Sequence, residues 1–487
     1  MQNEIELKLR IDTRDILRLR RHPAIRHHLI AKPITRRLIS TYFDTPELAL
    51  LNQAISLRVR RMSGGWFQAV KGSGSALAGL HQRFEWEDII ARGTPDFTKI
   101  TEPSLARIFA DQALRAALQP IFLTDVQRTE WQLAFEDGTE LEVALDLGQL
   151  KAQGQSEPIA EVEIELKKGA AFRLFELAAA LQKNIPLQIE NMSKAERGYR
   201  HYRVLPEVIR PSKPLKLRKK TGSHAGFQAV MLDCMQQLQT HLQAAIEGRI
   251  EATHQMHIAL RRLKIALRLF DQTEDDLAAE IDWLNGLIGE IRNWDVLLDE
   301  ILPKAFDSNS AGEELIQGVA RRKSICRRKL QQALTSQRYQ ALVLQLGLLA
   351  TKLDFAKHDQ LLEKRLHQQL QKLADSLPWQ QQRLSQLRPA ELHRVRIRIK
   401  RLRYGQSFFK TPSCTILPSR HLINLQNQLG RLNDMHVGKQ LIQRLLTNLP
   451  VAVRQDIRTA FNTWQCKVAK KAETKIEASW DKLQKQR

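Results

Sequence analysis

Along residues 4–10 apolar and charged positions alternate strictly, with Ile5, Leu7 and Leu9 on one side and Glu4, Glu6, Lys8 and Arg10 on the other. A period of two is the signature of a strand with one buried face. The alternation recurs over 38–44, 54–61, 66–71, 81–87, 123–135, 140–146 and 159–166, which predicts about eight strands. Thr45-Pro46 stops one of them, and Gly64-Gly65 and Asp137-Gly138 supply hairpin turns. Helical patterns are expected over 14–31 (basic), 102–118 (capped by Thr101) and 172–183, and a Gly/Ser/Ala loop over 72–79. From 223 onward the period shifts to helical and stays there. Pro206, Pro211 and Pro214, among Lys213, Lys216, Arg218, Lys219 and Lys220, mark an exposed linker over 206–222. The expected organisation is a strand-rich domain over 1–205, the linker, and a helical domain over 223–487.

This division changes the meaning of the charge. The formal net charge is +23, but residues 1–210 hold 30 Lys+Arg against 27 Asp+Glu, a net of +3. Residues 211–487 hold 46 against 26, a net of +20, so a polyanionic partner is expected on the helical half. The four cysteines (Cys234, Cys326, Cys414, Cys466) are far apart and form no Cys-x-x-Cys pair, which argues for reduced thiols and against a disulfide framework or zinc site. No basic-then-apolar leader opens the sequence. The most apolar run, Ala341 to Ala350, is too short to span a bilayer and is broken by Gln345, so no membrane partner and a cytoplasmic location are expected.

The polar strand faces carry the candidate chemistry. Two carboxylates one pleat apart, as in Glu4 and Glu6, can share a divalent cation, and Lys8 next along can hold the phosphate that cation binds. A solvated face accounts for any one such strand. The repetition asks for more, because Glu161, Glu163 and Glu165 repel one another unless cations compensate them. Arg58, Arg60, Lys71, Arg83 and Arg128 supply the matching basic faces, and a closed barrel would turn all of these faces inward. No Ser-His-Asp or Cys-His arrangement competes, and Gly72-Ser73-Gly74 lacks the helix and lysine of a phosphate-cradling loop.

In order, Glu4-Ile-Glu6-Leu-Lys8, Tyr42-Phe-Asp-Thr-Pro46, Leu57-Arg-Val-Arg60, Arg83-Phe-Glu85-Trp-Glu87, Glu161-Val-Glu163 and Ser193-Lys194…Arg197-Gly-Tyr199 resemble the CYTH domain, the triphosphate tunnel metalloenzyme family. The resemblance covers 1–205. It implies an eight-stranded antiparallel barrel that hydrolyses a triphosphate, most often inorganic triphosphate, with Mg2+ or Mn2+. Position by position it implies Glu4, Glu6, Asp146, Glu161 and Glu163 as metal ligands. It implies Lys8, Arg58, Arg60, Lys71, Arg128, Lys194 and Arg197 as phosphate ligands, with Glu4, Glu6 and Lys8 closest to the catalysis. Glu85, Glu142 and Glu165 rank behind them, and Tyr42 is expected to pack. Thiamine-triphosphatase or adenylate cyclase activity, and a non-catalytic polyphosphate scaffold, remain alternatives at this point.

The helical half repeats itself. His254-Gln-Met-His257-Ile-Ala-Leu-Arg261-Arg262-Leu-Lys264 aligns without gaps on His393-Arg-Val-Arg396-Ile-Arg-Ile-Lys400-Arg401-Leu-Arg403, an offset of 139 residues (393 − 254). Gly289-Glu-Ile-Arg292-Asn293 matches Gly430-Arg-Leu-Asn433-Asp434 at 141 (430 − 289). Two matches at nearly one offset indicate a duplication, with repeats of about 223–350 and 351–487. On each copy the basic residues recur at helical three- and four-residue steps. Such like-charge pairs cost roughly 0.2–0.5 kcal/mol each in isolated helices, which points to an anionic ligand. These segments, with Arg292…Asp295 and Arg403-Tyr404, resemble the CHAD domain. That implies a paired helical bundle binding inorganic polyphosphate through His254, His257, Arg261, Arg262, Lys264, His393, Arg396, Lys400 and Arg403. His257 stands where the family usually has Arg, and Asn293 where it often has Asp. The first copy is therefore expected to bind less tightly, or more so when its histidines are protonated. The basic stripes lack interleaved aromatics, which argues against nucleic acid.

Overall fold

The computed structural model describes residues 2–62, 64–203, 214–215, 220–272, 274–306, 310–352, 360–409, 415–447 and 451–486. Most of the expected linker, and Cys414, lie outside them. Two units emerge, Met1–Val208 with Gln337–Lys352, and Ile209–Ser336 with Leu353–Arg487.

The first unit is built on nine strands: β1 (Gln2–Ile11), β2 (Ile34–Asp44), β3 (Ser56–Met62), β4 (Gly65–Leu77), β5 (Leu80–Ile90), β6 (Gln119–Ala134), β7 (Glu140–Ala152), β8 (Gln155–Lys168) and β9 (Leu187–Ile189). They lie in the order β5-β4-β3-β2-β6-β7-β8-β1-β9, and β1 pairs back onto β5. Every pairing is antiparallel. Eight strands therefore close into a barrel, which leaves no open edge around it. β1 makes the closure by dividing its length: Gln2–Leu7 pair with β5 and Glu6–Arg10 with β8. The ninth strand only extends the end of β1, through Leu9↔Ile189 to Ile11↔Leu187.

The barrel is inside-out, because period two sends the apolar set outward and the ionic set inward. Leu7, Leu9, Leu57, Val59, Val70, Val162 and Ile164 are fully buried on the outer wall. Helices α1 (Ile16–Arg20), α2 (Pro23–Arg26), α3 (Ala49–Asn52), α4 (Pro103–Phe109), α5 (Gln112–Ala117), α6 (Phe172–Gln182) and α7 (Lys194–Tyr202) follow in chain order. Leu50 of α3 and Leu105 and Phe109 of α4 join Leu57, Val59, Val70 and Ile90 in one such core. The core thus sits around the barrel, and the bore is left for charge.

Three local expectations are corrected. The basic helix over 14–31 is split, since Pro23 starts a new turn with His22 accepting from the Ala24 N–H. The helix over 102–118 is also two, with Glu102 and not Thr101 capping the first, and Asp111 capping the second. The segment 72–79 is mostly strand, with the irregularity falling between Lys71 and Gly74.

The second unit is helical: α8 (Ser223–Thr240), α9 (Leu242–Ile246), α10 (Ile250–Leu269), α11 (Asp275–Val296), α12 (Leu302–Ala305) and α13 (Ser310–Leu334), then α15 (Leu362–Asp375), α16 (Pro389–Ser407), α17 (Ser419–Leu446) and α18 (Val451–Gln484). Between them in sequence, α14 (Gln337–Lys352) belongs to the first unit. The duplicated segments are α10 with α16 and α11 with α17, and each helix packs against its own counterpart. No described helix is long and apolar enough to cross a membrane.

Candidate active site

The inward positions of β1 are Glu4, Glu6 and Lys8, and each neighbouring strand adds its own: Arg58 and Arg60 from β3, Lys71 from β4, Glu85 and Glu87 from β5, Arg128 from β6, Glu142 and Asp146 from β7, and Glu163, Glu165 and Lys167 from β8. Together they enclose a cavity of about 310 Å3. Lys194 joins them because Ser193 caps α7 in a capping box with Glu196, which fixes the first helical residue at the wall.

Two ion clusters divide this wall. In one, Lys71 Nζ lies 2.7 Å from Glu4 and 3.1 Å from Glu85, and Arg58 lies 3.3 Å from Glu85 and 3.4 Å from Glu87. In the other, Lys8 bridges Glu6 at 2.9 Å and Glu163 at 2.5 Å. Arg128 donates to both oxygens of Asp146, at 2.7 and 2.6 Å, and pairs with Glu163 as well. Lys194 stands 2.8 Å from Asp146, 2.6 Å from Glu161 and 2.8 Å from Glu163. Burial alone would raise the Glu163 carboxyl, yet Lys194, Lys8 and Arg128 hold it well below the usual range. Asp146 is lowered against its burial by Arg128 and Lys194. Burial opposes the charge on Lys194 too, and Asp146, Glu161 and Glu163 override it and raise that ammonium well above its ordinary value.

Arg60 departs from this pattern. Ser40 Oγ accepts from its Nε at 3.0 Å, and no carboxylate pairs with it among the described residues. Burial, then Arg58 and Arg128, push its guanidinium down to about 10. Tyr42, the one aromatic ring on the cavity wall among the described residues, is stacked on Phe122 at 4.4 Å, so one of its faces is already covered.

Glu161 and Arg197 stand apart from the other residues expected in the site. They do not line the cavity but pair with each other, 1% and 4% exposed, and Arg197 also reaches Glu157 at 3.1 Å. Sequence reasoning missed Lys167 and Ser40. Lys167 was within reach, since it continues the period-two series Glu161, Glu163, Glu165. The bore offers oxygen donors only, the chemistry of a hard divalent cation. Among the described residues no three of these acids stand together as a ready metal site, because Lys8, Arg128 and Lys194 occupy the spaces between them. The set fits a cation that takes much of its coordination from substrate phosphates and water.

In the second unit the basic stripes of α10 and α16 meet. Arg396, Lys400 and Arg403 follow one face of α16 at steps of four and three, and Arg261 faces them from α10. The Nε–H groups of Arg396 and Arg403 are buried and find no acceptor among the described residues. Burial, then Arg261 and Arg396, push the Lys400 ammonium down to about 7, although Asp434 of α17 opposes them. His257 accepts from the Arg261 guanidinium, and its burial and that contact lower it to about 3. His254 is lowered for the same reasons, with Arg292 of α11 as its nearest cation. The unliganded first copy therefore presents neutral imidazoles. Arg262 is buried against Asp233 at 2.8 Å and over the Phe408 ring, Lys264 pairs with Asp282, and His393 is exposed.

A barrel with its core outside and an ionic bore, in one chain with a doubled helical bundle around a basic seam, defines a two-module class. Residues 2–199 match the CYTH domain family and residues 229–443 the CHAD domain family, and the chain belongs to the CYTH–CHAD proteins. It is 34% identical over 201 residues to the inorganic triphosphatase of Haemophilus influenzae, covering 41% of this chain and 55% of that protein. The chain thus spans about half the length of that curated relative. The crystal structure of the CHAD domain from the plant Ricinus communis shares 30% identity at a TM-score of 0.50, covering 57% of this chain and 97% of that one.

Proposed function

We propose that the barrel hydrolyses inorganic triphosphate to pyrophosphate and phosphate, and that the helical seam holds inorganic polyphosphate. The observation that carries the first part is Arg60, a cation in the bore with no carboxylate at ion-pairing distance among the described residues. A buried charge without a partner is costly, and an anionic substrate removes that cost. The inorganic substrate is favoured because the described wall is mostly charged and its one aromatic ring, Tyr42, is 6% exposed with one face against Phe122, which leaves little surface for a base or thiazole to stack on.

The residues of the bore perform two tasks. Lys8, Arg58, Arg60, Lys71, Arg128 and Lys194 take up phosphate oxygens, and in doing so exchange their carboxylate partners for substrate. The exchange frees Glu4, Glu6, Asp146 and Glu163, with Glu161 behind them, to hold Mg2+ or Mn2+. When bound, that cation neutralises phosphate charge and polarises the scissile bond. A freed carboxylate orients water in line with the terminal phosphorus, and the bridging P–O bond breaks with pyrophosphate leaving. Positioning and charge supply this catalysis, without a covalent enzyme intermediate. The direct assay is phosphate release by the full chain from tripolyphosphate and from ATP, with and without Mg2+. Release from tripolyphosphate should dominate and vanish with chelator; preference for ATP would redirect the reading to an organic triphosphate.

The polyphosphate reading rests on the orphaned Arg396 and Arg403 donors beside Lys400 and Arg261. Ten residues of α16 rise about 15 Å, long enough to follow several phosphates. Binding should weaken steeply with salt, as counterion release requires. Titration at equal phosphate concentration should rank polyphosphate above single-stranded DNA and RNA, and the reverse ranking would reassign the seam to nucleic acid.

A further inference from the structure

Helix α14 carries the most apolar run of the sequence, and it is a member of the barrel unit although it lies inside the CHAD match. It packs on α6, where Gly347 admits the Phe175 ring; a Cβ at that position would stand 2.2 Å from it. One polar side chain is buried on this helix among its leucines. Gln340 is 7% exposed, and its Oε1 accepts the backbone N–H of Ile189 in β9 at 2.9 Å. Among the described residues β9 pairs with β1 alone, so that N–H sits on the strand's outer edge and finds no backbone acceptor among them.

The residues that follow Ile189 form a strap that joins β9 to α7. Glu190 donates its N–H to the Lys8 carbonyl at 2.9 Å. Asn191 Oδ1 accepts from the Gly79 N–H at 2.9 Å, and the Gly79 carbonyl in turn accepts the Lys8 N–H at 2.8 Å. Gly79 holds a φ of +77°, and a Cβ there would approach the Lys8 carbonyl oxygen to 2.8 Å, so the approach needs glycine. Two residues further on, Ser193 caps α7 and sets Lys194. The strap therefore fixes both backbone groups of Lys8 and the start of Lys194, the two lysines that grip Glu163 at 2.5 and 2.8 Å.

We propose that Gln340 is a positioning residue of the barrel's site, anchoring the 189–193 strap that sets Lys8 and Lys194. The proposal deepens the triphosphatase reading and assigns a residue of the CHAD-matched segment to the catalytic unit. Displacements of about 1 Å at a reacting site lower rates by up to a hundredfold, so release of the anchor should lower kcat by roughly tenfold.

The test compares the full-length wild type with Gln340→Met, which keeps the volume and loses the acceptor, and Gln340→Glu, which keeps an acceptor oxygen. For each, kcat and KM with tripolyphosphate and Mg2+ are measured beside amide exchange at Lys8, Ile189 and Glu190. Gln340→Met should lose roughly tenfold in kcat with a smaller change in KM, and exchange faster at all three amides, while Gln340→Glu stays near wild type. Wild-type kcat in Gln340→Met, or equal loss in both variants, overturns the anchor. If the wild type releases no phosphate, the triphosphatase reading falls and exchange alone decides the anchor: unchanged protection in Gln340→Met defeats it, faster exchange supports it.

Discussion

Arg60 and its neighbours show what a single side chain contributes to this bore. Because no described carboxylate stands at ion-pairing distance from it, Arg60→Ala should raise KM for tripolyphosphate by about tenfold to a hundredfold, in keeping with loss of a charge-assisted contact. The same variant should melt no lower than wild type, since it removes a half-buried cation with no carboxylate at ion-pairing distance among the described residues. Glu4 and Glu6 behave differently: Glu4→Gln or Glu6→Gln should reduce Mg2+-dependent hydrolysis by about a hundredfold or more with an unchanged circular dichroism spectrum. Activity near wild type in both would remove them from the metal set. At this scale the sequence was legible wherever alternation decides which face a residue takes, as for Glu4, Glu6, Lys8, Arg58, Arg60, Lys71 and Arg128. Alternation does not say how deep along the bore a residue lies. Glu161 has the right parity on β8, and only its pairing with Arg10 and the placement of α7, which carries Arg197, bury the two against each other.

Among the elements, α10 and α16 were visible as a repeat, but their contact was not, because a duplication specifies likeness and not docking. The contact moves the expected proton switch from histidine to lysine. His257 at about 3 stays neutral through pH 6, whereas Lys400 at about 7 titrates near neutrality, facing Arg261, Arg396, Arg403, His257 and Asp434. Polyphosphate binding should therefore tighten as pH falls from about 9 to 7, as the amine gains its proton, and Lys400→Met should flatten that profile and weaken binding by about tenfold. Stability runs the opposite way. The folded value of about 7 lies below the ordinary lysine value of 10.5, so between them the unfolded chain binds more protons and stability rises with pH. Lys400→Met should raise Tm near pH 7 by about 2–4 °C, a gain bought with affinity. A Tm that falls at pH 7, measured by calorimetry, would place Lys400 in a paired and stabilising role.

At the scale of the whole molecule, every candidate ligand of the bore lies before residue 205, so the sequence alone suggests a self-sufficient barrel. The structure adds α14, whose apolar run was legible as too short for a membrane but carried no sign of its destination. A fragment ending at 205 lacks this helix and uncovers the Phe175 side of α6. That fragment should bind hydrophobic dye, melt lower than the barrel in the full chain and lose activity, and joining residues 337–352 to it through a flexible linker should restore all three. A monodisperse 1–205 fragment with full activity would show α14 to be dispensable.

The same helix sets an order of events during synthesis. The barrel's continuous segment ends at Val208 and its last piece begins at Gln337, 129 residues later (337 − 208). At about 5–20 residues per second, translation takes roughly 6–26 s to cross that gap. For that interval the nascent barrel carries an uncovered apolar groove on α6 while the ribosome is still making the helices that precede α14. Codon choice and chaperone occupancy across 209–336 are therefore expected to bear on the yield of a protein whose ionic bore is encoded well upstream.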